Sequence, residues 1–255
     1  MAELEYYQFP YMSDNYGVLI HSSKTGETAA IDAGDGAALL EALDHKGWQL
    51  TDLFITHHHA DHTAGLAQVK AATSCKVTGP KLHSNVEGLD REVSEGDALQ
   101  FAGCDVQVIH TPGHTADMLN YYLPSEGVVF TGDTLFALGC GRLFEGDAET
   151  MWKSLGKLMA LPQNTTVYCS HEYTEANAKF ALSVDPENPE LRSRVKAIKQ
   201  LRAEGKATVP SVLAEELATN PFLRVDDQGI REHLGMLASS DEEVFAEIRK
   251  RKDNF

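Results

Sequence analysis

Residues 56–62 read Thr-His-His-His-Ala-Asp-His. Four imidazoles and a carboxylate packed this closely would repel or neutralise one another as burial strips water from them, unless a cation holds them together. The apolar run LFIT (53–56) reads as a buried strand that delivers the cluster at its C-terminal end, and HTAGLAQVKAAT (62–73) reads as a helix behind it. On an extended segment residues two apart share a side, so His57 and His59 converge on one ion while His58 faces away. Asp61 and His62 fall at the turn into the helix, where the chain changes direction and can aim at a second ion.

Outward from this stretch, strand-like and helical patterns alternate. Strands are expected at 4–9, 16–22, 27–33, 104–110, 119–123, 127–133 and 165–171, and helices at 37–47 and 148–161. The class is therefore α/β, and the strand ends THHH, TPGH, TGDT and CSHE carry polar groups before turns. In layered α/β folds such loops are where binding groups collect. From about residue 174 the strand signals fade into helical patterns, the last opening with Ser240 and Glu243 at capping-box spacing. Two domains are expected, residues 1–173 and a helical region 174–255.

A pair of neighbouring dications needs more donors than one segment supplies. His114, Asp133 and His171, at other strand ends, raise the candidate set to His57, His59, Asp61, His62, His114, Asp133 and His171. Nitrogen and oxygen donors suit zinc, iron or manganese. His58 and His110 are read as non-ligands, and His21, His45, His83 and His233 as surface or hydrogen-bonded residues. The four cysteines, Cys75, Cys104, Cys140 and Cys169, form no CxxC pair and read as reduced buried thiols.

With 38 acidic against 22 basic side chains and a formal net charge of −16, the chain disfavours nucleic acid and anionic membranes as partners. No run approaches the roughly 18 apolar residues that cross a bilayer, and MAELEYYQFP lacks the basic start and apolar run of a secretory signal, so a cytoplasmic location is expected. The basic residues nevertheless gather at Arg249, Lys250, Arg251 and Lys252, which read either as a solvated helix face or as a local anion site within an acidic chain.

T-H-x-H-x-D-H followed by His, Asp and His at later strand ends resembles the metallo-β-lactamase superfamily. That resemblance implies an αββα sandwich with two metals at one edge: His57, His59 and His114 on one ion, Asp61, His62 and His171 on the other, and Asp133 bridging. Two cations sharing a carboxylate leave room for a water acidified toward neutrality, so hydrolysis follows without a side-chain nucleophile. Over nearly the whole chain, THHHADHTAG, TPGHT, FTGDTLFALGCGRLFEG, YCSHEYT, NPFLR and RKRKDNF resemble the glyoxalase II family. This implies hydrolysis of S-D-lactoylglutathione to D-lactate and glutathione, the second step of methylglyoxal detoxification. It also implies two divalent ions, with zinc expected foremost, and a small-molecule thioester partner; the chain is expected to act as a monomer. Arg142, Tyr173, Arg249 and Lys252 are then the positions expected at the glutathione moiety.

The chain departs from that family's pattern at Phe144, where tyrosine is common, at Arg142, where lysine is common, and at Asp117-Met118, where Gly-His is common. Phe144 has no hydroxyl to give glutathione, so altered recognition of the thiol carrier is expected with the metal chemistry intact. Three readings compete with the thioesterase: a one-iron glutathione-persulfide dioxygenase using His57, His114 and Asp133, a broader metallohydrolase, and a non-catalytic metal scaffold.

Overall fold

The computed structural model describes residues 4–82 and 85–255, so the expectation for His83 lies outside the described residues. Two compact units divide the chain: Met1–His110 with Thr115–Gly132, and Thr111–His114 with Asp133–Phe255.

In the first unit the chain runs β1 (Leu4–Tyr11), β2 (Asn15–Ser22), β3 (Thr28–Ile31), α1 (Gly36–Lys46), β4 (Asp52–Phe54), α2 (Ala60–Thr63), α3 (Leu66–Thr73), β5 (Lys76–Pro80) and β6 (Arg91–Val93). These strands form a sheet in the order β1-β2-β3-β4-β5-β6. It is antiparallel from β1 to β3 and parallel from β3 to β6. Buried on it are Leu19, Leu39, Leu53, Ile55, Val69 and Val77. The same unit continues with an antiparallel meander, β7 (Ala98–Phe101), β8 (Cys104–His110), β9 (Leu119–Leu123) and β10 (Val128–Gly132).

Local chemistry sets the boundaries. The Asp35 carboxylate accepts from the amides of Ala37 and Ala38 and starts α1, and Gly47, at φ 67°, ends it. The single helix expected over 62–73 is instead two, α2 and α3, broken at Ala64–Gly65. Gly65 donates to the Ala33 carbonyl at 2.8 Å, and a side chain there would meet the Gly36 backbone at 2.1 Å, so the chain bends where two backbones touch. β5, β6 and β7 were not among the expected strands; KVTGP carries a glycine and a proline in five residues, which weakens its strand signal.

The second unit contains the two-strand hairpin β11 (Leu135–Phe136) and β12 (Gly139–Cys140), then α4 (Ala148–Met159), β13 (Thr166–Cys169), α5 (Thr174–Val184), α6 (Pro189–Ala203) and β14 (Ser211–Val212). After these come α7 (Leu213–Thr219), a 3-10 turn (Pro221–Leu223), α8 (Gln228–Leu234) and α9 (Asp241–Asp253). Ser211–Val212, expected within a helix, instead pairs antiparallel with β13. The capping box is formed as expected: Ser240 accepts from the Glu243 amide, and Glu243 accepts from the Ser240 amide. Leu138, Ala178, Ala181, Leu191, Val195 and Ile198 form a core around α5 and α6.

Polar groups from the helices fasten the β11–β12 hairpin. Asn177 donates to the Ala137 carbonyl, and Asn220 donates to those of Phe136 and Gly139. Glu216, fully buried, accepts the amide of Leu138 at 2.9 Å, and Arg194 pairs with its other oxygen at 2.5 Å. Replacing one member of a buried pair leaves the other charge uncompensated, at a cost of about 3–5 kcal/mol. Arg194→Ala is therefore expected to lower unfolding free energy by about that amount in a urea titration.

Candidate metal centre

His57 and His62 are fully buried, and their orientation is set by Asp32, a buried residue held at a left-handed φ of 59° directly after β3. One Asp32 oxygen accepts the Thr56 amide at 2.8 Å; the other accepts the Thr56 hydroxyl at 2.9 Å and faces Nδ1 of His62 at 2.8 Å. A carboxylate accepts, so His62 carries its proton on Nδ1. The Thr56 hydroxyl, its hydrogen committed to Asp32, can only accept from Nδ1 of His57, at 2.9 Å. Asp32 thereby fixes the tautomer of both rings and turns the lone pair of each onto Nε2, the arrangement that a metal-binding imidazole needs.

The neighbouring ligand candidates are held as firmly. The ring centroids of His57 and His59 are 4.7 Å apart and those of His57 and His62 4.1 Å, against 6.5 Å for His57 and His58. Tyr11 donates to the Asp61 carbonyl, and Asn15 donates to its carboxylate at 3.1 Å. His58 turns to Asp117, Nδ1 to Oδ1 at 3.0 Å, and Asp117 is fully buried. His110 meets the carbonyl of Ala116, His21 meets Thr28, and His233 meets the carbonyl of Ser183.

In the second unit, Asp133 is 6% exposed and stands between two histidines: Oδ2 is 3.3 Å from Nε2 of His114, and Oδ1 is 3.3 Å from Nε2 of His171. Nδ1 of His114 faces the Arg142 carbonyl at 2.8 Å, which fixes that tautomer too. The irregular segment after the hairpin straps this histidine down, since Phe144 donates to the His114 carbonyl and Gly146 to that of Gly113. Gly141 must be glycine, because a side chain there would come within 2.0 Å of the Asp133 carbonyl oxygen. The ring of Tyr173 stacks on His171 at 4.7 Å, and that of Phe144 meets His114 edge-on at 5.2 Å.

Among the described residues, His57, His59 and His114 form one group whose ligand atoms all lie within 4.8 Å of one another. His57, His62 and Asp133 form a second, and Asp61, His62 and His171 a third. Every one of the seven candidates is in these groups. A fourth, His58 with Asp117 and Glu145, contains none of them. The donors fit divalent ions: two ligands about 2.0–2.1 Å from one tetrahedral ion stand about 3.3–3.4 Å apart. The Nε2–carboxylate separations are 3.3 Å at His114 and His171, and 3.4 Å between His62 and Asp61.

The matches to known proteins cover the chain from end to end. Residues 15–171 match the Metallo-beta-lactamase superfamily, and residues 172–255 match the Hydroxyacylglutathione hydrolase C-terminus. A hydroxyacylglutathione hydrolase from Brucella anthropi is 55% identical over 253 residues, 99% of this chain and 97% of that one. The chain belongs to the hydroxyacylglutathione hydrolase family. Among solved structures, ETHE1 from Myxococcus xanthus superposes with a TM-score of 0.69 at 26% identity, covering 96% of this chain and 90% of that one. The BLEG-1 B3 metallo-beta-lactamase superposes at 0.65 and 21% identity, covering 86% and 99%. The fold of this hydroxyacylglutathione hydrolase family member is thus the αββα fold of the metallo-β-lactamase superfamily with a C-terminal helical region, as the sequence led one to expect.

The residues expected at the thiol carrier differ in exposure. Phe144 is 61% exposed and Tyr173 38%, the Arg142 side chain is exposed, and Arg249 is buried. Burial, followed by the adjacent Arg249 guanidinium, lowers the pKa of the half-buried Lys252 ammonium. All four cysteines are buried free thiols, and burial pushes those of Cys140 and Cys169 up to about 11 and about 12, so both are neutral near pH 7. Asp32 and Asp253 escaped the sequence reading. The signal for Asp32 is its place in IDAGDG, at the end of a strand beside the one that carries the cluster. Asp32→Ala should loosen His57 and His62 together and cost about 10–100-fold in metal affinity, measured by chelator competition.

Proposed function

We propose that the chain hydrolyses S-D-lactoylglutathione to D-lactate and glutathione at a centre for two divalent ions. The observation that carries this reading is the 55% identity to a hydroxyacylglutathione hydrolase across 99% of the chain. The match of residues 172–255 to that family's own C-terminal region supports it and weighs against the persulfide dioxygenase. The junction of the two family matches at residues 171 and 172 supports a domain division at 173/174.

In this reading His57, His59 and His114 would hold one ion, Asp61, His62 and His171 would hold the other, and Asp133 would be shared between them. Zinc is the first choice for these donors, with iron and manganese also suited to them. When bound, such ions supply a water acidified toward neutrality and polarise the thioester carbonyl. The protein's part is to hold the imidazoles with Nδ1 protonated, through Asp32, Thr56 and the Arg142 carbonyl, and to keep the Asp133 carboxylate between His114 and His171. In hydrolysis a C–O bond forms from water to the acyl carbon as the C–S bond breaks with its electron pair going to sulfur; of the two protons of the water, one ends on the thiolate and the other passes to solvent, leaving D-lactate and glutathione. A thiol with a pKa of about 8.5 leaves as thiolate without a strong acid beside it, which suits this substrate better than an amide.

Arg142, Tyr173, Arg249 and Lys252 are the residues proposed for the glutathione moiety, with Phe144 as an apolar wall. A cytoplasmic location and action as a monomer belong to the same reading. The assay is loss of thioester absorbance with S-D-lactoylglutathione, alongside metal content of the purified protein. Hydrolysis is expected; oxygen uptake with glutathione persulfide and no hydrolysis would overturn the assignment. Asp133→Ala should lower turnover by more than about 100-fold and reduce metal content with it, and undiminished turnover would remove Asp133 from the chemistry. Phe144→Tyr restores a donor worth about 1 kcal/mol and should lower KM about fivefold at unchanged kcat.

A further inference from the structure

Arg249 sits on α9, one turn from its end, with a guanidinium that is 7% exposed. Its Nε and Nη2 both donate to Oδ1 of Asp253, at 3.1 and 2.7 Å, and its Nη1 donates to the Cys140 carbonyl at 3.0 Å. The guanidinium carbon lies over the Phe222 ring, 5.1 Å from its centroid. Three donors are therefore taken by the protein, and a buried guanidinium demands a counter-charge. The Cys140 sulfur, 3.8 Å away, remains a neutral thiol, so Asp253 supplies that charge. The same Asp253 oxygen lies 3.6 Å from Nε of Arg142.

The bond to the Cys140 carbonyl reaches the metal ligands within two residues. Cys140 ends β12, Gly141 follows with its amide on the Thr134 carbonyl, and the next carbonyl, that of Arg142, fixes Nδ1 of His114. The segment 140–142 is thus pinned from one side by α9 and from the other by a ligand histidine. It has little room to shift, since Gly141 lies against Asp133.

We propose that Asp253 is a positioning residue for the metal centre: by holding Arg249 on the Cys140 carbonyl, it sets the segment 140–142 whose Arg142 carbonyl orients His114. The proposal rests on the reading of His114 as a metal ligand. It gives α9 a second role beside contact with the thiol carrier, because the cationic group expected to meet glutathione is joined through the backbone to an imidazole of the metal site. Outer-shell partners of ligand histidines usually change metal affinity or activity by about 10–100-fold, and Asp253, one link further out, should fall at the low end.

The test is Asp253→Asn in the full chain loaded with zinc, read by chelator competition, by the visible spectrum of the cobalt-loaded protein, and by kcat and KM. Two thioesters are compared, S-D-lactoylglutathione and S-D-lactoyl-N-acetylcysteamine, which lacks the carboxylates of glutathione. Expected are about tenfold easier release of the ion, a shifted cobalt spectrum and about a tenfold lower kcat on both thioesters, with recovery in Asp253→Glu. Parental metal retention and kcat, with only KM for the glutathione thioester raised, would make Asp253 a substrate-recognition residue and overturn the proposal. Should Asp253→Asn fail to fold, Arg249→Lys, which keeps the charge but cannot span Asp253 and Cys140 together, is judged by the same criteria. His114→Ala separates the two layers: unchanged metal content there overturns the ligand assignment itself, whereas metal loss there with an unaltered Asp253→Asn overturns the positioning role alone.

Discussion

An imidazole serves an ion well only when its other nitrogen is held, and the structure meets that demand with acceptors that cannot donate. The Asp32 carboxylate does so directly for His62 and, through the Thr56 hydroxyl, for His57; the Arg142 carbonyl does so for His114. In each case the acceptor dictates the tautomer, and the tautomer dictates which nitrogen faces the site. The local backbone follows from this. Asp32 occupies a left-handed φ that costs an aspartate about 1 kcal/mol or more, a strain that persists because three hydrogen bonds depend on it.

The hairpin β11–β12 is the counterpart in the second unit. It is too short to be stable alone, and its carbonyls and amides are satisfied by side chains from helices far along the chain: Asn177, Glu216, Asn220 and Arg249. Buried polar groups of this kind are costly unless fully paired, and when paired they admit one geometry. That geometry passes to the segment 140–146, which straps His114 and lies against Asp133. The C-terminal helices therefore have a structural role at the candidate metal centre, because the stretch of backbone that holds His114 is fastened to them.

What could be read from the chain alone was local chemistry at strand ends. Seven ligand candidates were recognisable because histidine and aspartate stood beside turns, and all seven fall in the metal-competent groups. The capping box at Ser240 was legible for the same reason, since cap and partner lie three residues apart. Asp32 was not, because its meaning depends on Thr56 and His62, more than twenty residues on, meeting it across neighbouring parallel strands. Strands β5 to β7 were missed where glycine, proline and brevity outweigh pattern, and β14 because two residues carry no periodicity. The break between α2 and α3 comes from a backbone contact, which a helical pattern does not encode.

Charge was legible in total and illegible in placement. A net charge of −16 would repel a thiol carrier with two carboxylates if the field of the whole chain decided binding. At physiological ionic strength that field is screened over about 8 Å, so recognition falls to the few cations that the substrate can reach. Lys252, half-buried over the Phe180 ring, and Arg142, exposed and 3.6 Å from Asp253, are the cations proposed for that role. Arg249 is already matched to Asp253, so on the proposed role a substrate carboxylate would share that cation and not gain it whole. A glutathione site built on these residues would hold a dianion less tightly than the count of basic residues suggests. It keeps the arginine ordered before substrate arrives, which favours a metal site set in advance over the strongest ground-state grip.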